Sequence, residues 1–379
     1  MRTIHPPFSS LSNIEVFAVE SNAAQVLVRS DASTVHTRLI GEGNAEIATP
    51  SVGGVAVVEV RGLHPETAHT LGFTSGRGDT LERVSFTTRH SLGDIRSRFA
   101  TISDIHLGLE QFGVGRKLTD DGATPYAFRC AQAAIDEALA WGAELLIVKG
   151  DLTDTGGTAE WALAERLFHG IDVPILFTPG NHDVTRKQEV TPKEGSSSLG
   201  LVHAPVQIHD LSGVRIVVAD TSRDRRGTGD IARVGAEVLD SVKNAGPVFL
   251  AFHHNIQRTP VPWFWPAGIS SGNARPVIKD LANANAQIFM SSGHTHRNRL
   301  HWLGPSRAIP YTEVSATSDY PGVWAGYEVS DLGIRQTVRR ISEPSALAWT
   351  ERTRSVLGTV WPRWSQGRLH DRSVDLDLR

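Results

Sequence analysis

One arrangement recurs five times along this chain: an apolar run of strand length that stops at a cluster of carboxylate, amide or imidazole side chains. Asp104-Ile105-His106 follows the run at 98–103, and Gly150-Asp151 follows that at 145–148. Gly180-Asn181-His182-Asp183 follows 173–177, His253-His254 follows 248–252, and Gly293-His294-Thr295-His296 follows 288–291. Open α/β sheets bind ligands at the carboxyl ends of their strands. A random scatter of histidines would not collect there, so the pattern predicts an α/β unit whose strand ends converge on one polar site.

The intervening segments agree. Helical periodicity covers 126–141, 159–168, 231–243 and 274–282, alternating with the strands above and with one at 214–219. Such alternation implies largely parallel pairing. Further strands are expected at 313–316, 324–329 and 334–339, completing a second sheet. Residues 1–95 read differently. Short β-rich runs at 14–19, 24–28, 35–40, 55–60, 69–73 and 83–87 are separated by Gly, Asn, Asp and Pro, the spacing of a small all-β sandwich. The expected division is a sandwich over 1–95, an α/β domain over 96–345 and a C-terminal extension over 346–379.

The donor set is specific about chemistry. In Asp-x-His and His-x-His, residues i and i+2 leave an extended backbone on the same side, so one ion or two adjacent ions can be gripped together. The glycines before Asp151, Asn181 and His294 permit tight turns or close backbone approach. Carboxylate, imidazole and amide without thiolate suit Mn, Fe or Zn. The single cysteine, Cys130, lies in the apolar pattern of Phe128, Ala131 and Ile135 and reads as an inert core thiol; one cysteine builds neither a disulfide nor a Cys-based zinc site.

Taken in order, Asp-x-His, Gly-Asp, Gly-Asn-His-Asp, His and Gly-His-x-His resemble the motifs of the calcineurin-like metallophosphoesterases, over residues from about 98 to 330. Within that superfamily the motifs are most similar to bacterial cyclic-nucleotide phosphodiesterases. The resemblance implies a four-layer α/β/β/α domain, with two mixed sheets flanked by helices. It implies a first metal held by Asp104, His106, Asp151 and His296, and a second held by Asp151, Asn181, His253 and His294, with Asp151 bridging. A hydroxide activated by the two ions would attack phosphorus. His182 would stabilise the phosphoryl oxygens or protonate the leaving alkoxide, and Asp183 would orient His182. The family's His-x-Pro motif reads His253-His254-Asn255 here, without the proline; His253 is the expected ligand, and His254 is left as a substrate contact or a polar neighbour. Asp151 is followed by Leu152, Thr153 and Asp154, with no tyrosine to serve a purple iron site. In the first 95 residues, Leu63-His64-Pro65-Glu66-Thr67-Ala68-His69 and Phe86-Thr87-Thr88 resemble fibronectin type III domains, with His69 where that family places Tyr.

The implied activity is metal-dependent hydrolysis of a small phosphate ester, most directly a phosphodiester such as a 3′,5′-cyclic nucleotide. A broad phosphomonoesterase and a metal-binding interaction scaffold with a vestigial site are the alternatives. Lys and Arg number 38 against 41 Asp and Glu, a formal charge of −3, so the basic excess of a polynucleotide binder is missing. The sequence offers no stretch approaching the ~20 apolar residues that span a bilayer and no signal peptide, so a cytoplasmic protein without a membrane partner is expected. A homo-oligomer is compatible with all of this. Two segments raise the question of a lid. One is 258–272, with Pro260, Pro262, Trp263, Phe264, Trp265 and Pro266; the other is Asp319-Tyr320-Pro321-Gly322-Val323-Trp324. Packing on the chain's own domain or on a partner subunit is the plainer reading of both. Arg116 and Lys117 read as solvated cations, Asp220 as structural, and His90, His169, His203, His209 and His301 as ordinary histidines.

Overall fold

The computed structural model describes residues 11–41, 46–75, 81–113, 117–120, 122–258 and 266–378. It divides into two compact units, Met1–Ser91 and Leu92–Arg379. Arg116 and most of the aromatic segment after Arg258 (259–265) lie outside the described residues.

Among its described residues, the first unit is a sandwich of seven strands. A three-stranded sheet pairs Leu11–Val19 with Ala23–Ser30 and that with Val55–Arg61; a four-stranded sheet runs Glu46–Pro50, Thr34–Leu39, Ala68–Ser75, Glu82–Thr87. The core draws Val26, Val28 and Val58 from one sheet and Val35, Leu71 and Phe73 from the other. The strand Glu46–Pro50 escapes a sequence reading because its residues are mostly exposed and it ends on proline. At the corner before Ala68–Ser75, the His69 Nε2–H donates to the carbonyl of His64 at 3.2 Å.

The second unit has four layers, α/β/β/α. Its first sheet orders the strands Ile175–Thr178, Leu146–Lys149, Ile95–Ile102, Val323–Ser330, Gly333–Arg340 and Ser373–Asp377. Its second orders Val206–Leu211, Val214–Ala219, Val248–Ala251, Ile288–Ser292, Ile309–Glu313 and Arg299–Leu303. The strand Leu146–Lys149 is parallel to both its neighbours, as are Val248–Ala251 and Ile288–Ser292 to theirs. Both faces of these strands are covered, and they are apolar except at their ends, where Lys149, Ser291 and Ser292 stand. Phe99 and Tyr327 of the first sheet meet Phe249 of the second, with ring centroids 4.8 and 4.5 Å from it. All three are fully buried, each such burial contributing about 1.5–3 kcal/mol.

Helices Tyr126–Ala140 and Thr158–Phe168 cover the outer face of the first sheet, and Gly235–Val242 and Ser271–Ala284 that of the second. Tyr126–Ala140 lies close because its inner face is small: Ala127, Ala131, Ala134 and Ala138 recur at i, i+4, i+7 and i+11 with Cys130 among them. The Cys130 thiol is buried and its pKa is pushed up by that burial, as an inert core residue requires.

Several sequence expectations shift. The strand expected at 313–316 is Ile309–Glu313; its Pro310 and Glu313 hid it, although every residue in it is buried. The helix expected at 231–243 opens as a 3-10 turn, Ala232–Val234. Edge strands Val206–Leu211, Arg299–Leu303 and Ser373–Asp377 interleave polar with apolar residues, with Gln207 buried and Ile208 and Trp302 exposed, and lack a clean apolar signal. Residues 346–379 belong to the second unit: Trp349 stacks on Tyr126 at 4.0 Å, and Asp375 pairs with Arg335 at 2.8 Å where Ser373–Asp377 closes the sheet. The segment 319–324 packs as core, with Asp319, Tyr320 and Val323 fully buried. Among the described residues, no helix is long and apolar enough to cross a membrane.

Candidate metal centre

The five motif clusters all lie where a strand ends, and the structure brings their side chains together. Asp104, His106 and His296 place donor atoms within 4.8 Å of one another, and so do Asp104, Asp151 and His253. The His253 Nε2 lies 3.3 Å from Asp151 Oδ2, 3.2 Å from Asn181 Oδ1 and 3.2 Å from His294 Nδ1. The His296 Nε2 lies 3.4 Å from His106 Nε2 and 3.5 Å from Asp104 Oδ1. All seven residues expected as ligands thus line one site.

The i, i+2 convergence arises differently from the sequence expectation. Asp104, His106, Asp151, His294 and His296 are not extended; all five have positive φ, between 49° and 71°. Non-glycine residues rarely adopt this left-handed region, at a cost of order 1–3 kcal/mol each. The surroundings hold them there. Asp104 accepts the His294 N–H at 3.0 Å and the Ser103 hydroxyl at 2.8 Å, and Asp151 Oδ1 accepts the His182 N–H at 2.8 Å. Two glycines are required by space. A Cβ on Gly293 would stand 2.5 Å from Asp104 Oδ2, and one on Gly180 would stand 2.5 Å from the Asp151 nitrogen.

Hydrogen bonds fix the ring tautomers. A carbonyl can only accept, so His253 Nδ1 must donate to Lys149 O at 2.7 Å and His294 Nε2 to Ala267 O at 3.3 Å. That leaves the His253 Nε2 and the His294 Nδ1 as lone pairs pointing at each other across 3.2 Å. Facing lone pairs repel unless a cation sits between them. The donor set is oxygen and imidazole nitrogen without sulfur, which fits a borderline divalent metal. In the metal-free centre a proton is that cation: burial opposes charge on His253 and His296, yet the carboxylates outweigh it, Asp151 chiefly raising His253 to about 9 and Asp319 with Asp104 raising His296 to about 9, and a metal would displace the proton from each Nε2. His294 goes the other way, lowered to about 4 by burial and by His253, and stays neutral.

His182 stands at the rim, its side chain 39% exposed. Asp183, expected to orient it, is turned away: fully buried, it accepts from the Thr153 N–H at 2.8 Å, the Thr153 hydroxyl at 2.7 Å and the Gly180 N–H at 2.8 Å. Adjacent side chains in the Asn181-His182-Asp183 turn diverge, so Asp183 braces the loop. Asp154 takes the place expected of Asp183. His182 Nδ1 donates to its carbonyl at 2.9 Å and lies 3.2 Å from its Oδ1. Burial lowers the His182 pKa, but Asp151 and Asp154 overcome it and raise the pKa to about 10. The signal for Asp154 was its spacing, three residues after Asp151 on the same turn.

Two other neighbours gave no motif signal. Asp319 accepts from His296 Nδ1 at 2.6 Å. Lys149, fully buried between the sheets, donates to Ser291 Oγ at 2.9 Å and Ser292 O at 3.0 Å, and burial draws its pKa down to about 7. His254 directs Nδ1 at Thr221 Oγ1, 3.0 Å away, its ring centroid 5.0 Å from that of His294; burial and the neighbouring imidazoles hold it neutral. Asp220 pairs with Arg233 at 3.3 Å, His301 with Glu313 at 2.8 Å, and Lys117 is exposed.

The family model for calcineurin-like phosphoesterases matches residues 97–298, more than half of the chain, and the chain belongs to that family. It is a metallophosphoesterase with a candidate binuclear site. It is 27% identical over 158 residues to a "probable glycerophosphodiester phosphodiesterase" of Arcobacter nitrofigilis, covering 41% of this chain and 57% of that protein. The chain thus spans little more than half the length of that relative. It is 23% identical over 192 residues to a "probable cyclic nucleotide phosphodiesterase" of Synechococcus, covering 50% of this chain and 72% of the relative. A dimetal phosphatase from Danio rerio superposes with a TM-score of 0.49 at 10% identity, over 66% of this chain and 98% of that one.

Proposed function

We propose that this metallophosphoesterase is a phosphodiesterase of small phosphate esters, with 3′,5′-cyclic nucleotides as its leading substrate class. The observation that carries the reading is the convergence of lone pairs from seven side chains with His182 at the rim. Asp104, His106, Asp151 and His296 would hold one ion and Asp151, Asn181, His253 and His294 the other, with Mn, Fe or Zn suited to the donors. Two such ions supply Lewis acidity toward phosphoryl oxygens and a water of lowered pKa. The protein's own part is proton delivery. His182 donates through Nδ1 to the Asp154 carbonyl, the Asp154 carboxylate beside it favours the protonated ring, and Nε2–H would be presented to the leaving oxygen. Both curated relatives carry diesterase names, which supports diesters over monoesters.

The test is turnover by metal-stripped protein, with and without Mn²⁺, on cyclic AMP, a nitrophenyl diester and a nitrophenyl monoester. Mn-dependent hydrolysis of both diesters is expected. Preference for the monoester would make the enzyme a general phosphatase, and no turnover with any metal would leave a metal-binding scaffold. For the first unit we propose a fibronectin type III-like module. Its strand order, first-second-fifth against fourth-third-sixth-seventh, and the His69 corner bond support this.

A further inference from the structure

The ring of His296 is held from behind by a carboxylate that no motif accounts for. Asp319 Oδ2 lies 2.6 Å from His296 Nδ1, and Asp319 itself is fully buried. Its other oxygen, Oδ1, has no partner among the described residues. Burying a carboxylate costs several kcal/mol unless it is paired and hydrogen-bonded. The Asp319 carboxylate is therefore committed to one partner, the imidazole of His296.

The residues before it are anchored to the same half of the site. The Thr317 N–H donates to Ser103 O at 3.1 Å, and the Ser318 hydroxyl donates to the Asp104 carbonyl at 2.9 Å. The C-terminal part of the chain fixes this segment from the far side. Trp349 Nε1–H donates to Ser318 O at 3.0 Å, the Tyr320 N–H donates to Thr353 Oγ1 at 2.8 Å, and the Tyr320 hydroxyl donates to Gln366 Oε1 at 2.5 Å. The helix Pro344–Thr353 and the residues up to Gln366 thus grip residues 318–320, and these grip Asp104 and His296.

We propose that Asp319 is the positioning residue of the first metal site, and that the C-terminal segment 344–366 sets the affinity of that site through it. The inference rests on the metal-dependent reading above. Its physical basis is the asymmetry of imidazole. With Nδ1–H given to Asp319, Nε2 carries the lone pair, and Nε2 is the atom facing Asp104 and His106. Without that acceptor the ring, 18% exposed, is free to change tautomer or rotate, and its Nε2 is no longer a committed donor. A carboxylate behind a ligating histidine also increases its basicity. Loss of such partners typically costs 10–100-fold in metal affinity.

The experiment measures Mn²⁺ binding to the metal-stripped full chain by calorimetry, with electron paramagnetic resonance to separate single from coupled ions. Wild type is expected to take two ions. Asp319→Ala should bind one with wild-type affinity and the other about 100-fold more weakly, so that an uncoupled signal dominates at one equivalent beyond the first. Asp319→Asn is isosteric, keeps an oxygen that can accept from Nδ1, and should fall between, about 10-fold weaker at one site. Thr353→Val, remote from the ligands, should weaken the same ion and not the other. Two ions at wild-type affinity in both Asp319 variants would overturn the proposal while leaving the metal site standing. A wild-type chain that binds no Mn²⁺, Fe²⁺ or Zn²⁺ would overturn the metal-dependent reading as well. Because binding is read without turnover, a wrong substrate class moves neither result.

Discussion

Gly293→Ala isolates how tightly the backbone must approach a ligand. The backbone at Gly293 is not left-handed, so alanine meets no conformational penalty there; the obstacle is space. Its Cβ would stand 2.5 Å from Asp104 Oδ2 and 2.6 Å from Ser103 Oγ. An ordinary carbon–oxygen contact needs about 1 Å more, so either the Asp104 carboxylate or the Gly293-His294 backbone must shift by roughly that distance. Both choices move a ligand: Asp104 directly, or His294 and His296, which follow Gly293. A misplacement of ~1 Å in a catalytic constellation costs on the order of 10²-fold, equivalent to about 2.7 kcal/mol of barrier. The assay is Mn-dependent hydrolysis of a nitrophenyl diester, with circular dichroism melting of the metal-stripped protein as the folding control. A fall of about 100-fold in kcat with a melting curve close to wild type is expected. If Gly293→Ala is folded and within threefold of wild-type activity, the close-approach argument is wrong.

Two further perturbations address the proton donor and a buried charge cluster. His182→Ala should lower kcat on cyclic AMP by about 10²–10⁴-fold and on a nitrophenyl diester by much less, because a nitrophenolate leaves without a proton; equal losses on both would remove the acid role. Glu313 is fully buried between Arg297, at 2.6 and 3.1 Å, and His301 at 2.8 Å. Burial raises its pKa, but the His301 hydrogen bond and the Arg297 charge outweigh this and draw it to about 2. A folded pKa below the unfolded value gives stability that is full above about pH 4.5 and lost as pH falls toward 2, some 3 kcal/mol in all. Glu313→Gln should therefore lower the urea midpoint at pH 7, and its gap to wild type should narrow by pH 3.5; a gap that stays constant would contradict the linkage.

How much of the centre could be read in advance differs residue by residue. The seven candidate ligands were legible because their types are rare in apolar runs and they cluster at five strand ends. Asp319 was not, and Asp154 only through its place three residues after Asp151. Asp154 works largely through its backbone carbonyl, which every residue possesses, and Asp319 lies 23 residues beyond the histidine it holds. Asp183 was misread for the converse reason: its place beside His182 suggested contact, while the turn sends the two side chains apart.

The sequence by itself determined the alternation of strand and helix, the covered central strands, and the set of donors at their ends. Each follows from local periodicity or from residue chemistry. The tertiary structure alone decided the edge strands, whose mixed polar and apolar residues carry no clean periodic signature, and the inclusion of residues 346–379 in the second unit. It also decided the left-handed backbone at five candidate ligands and the ring tautomers, because both depend on acceptors contributed by distant parts of the chain. Side-chain type is a local property, but the direction of a lone pair is set by whatever holds the other side of the ring.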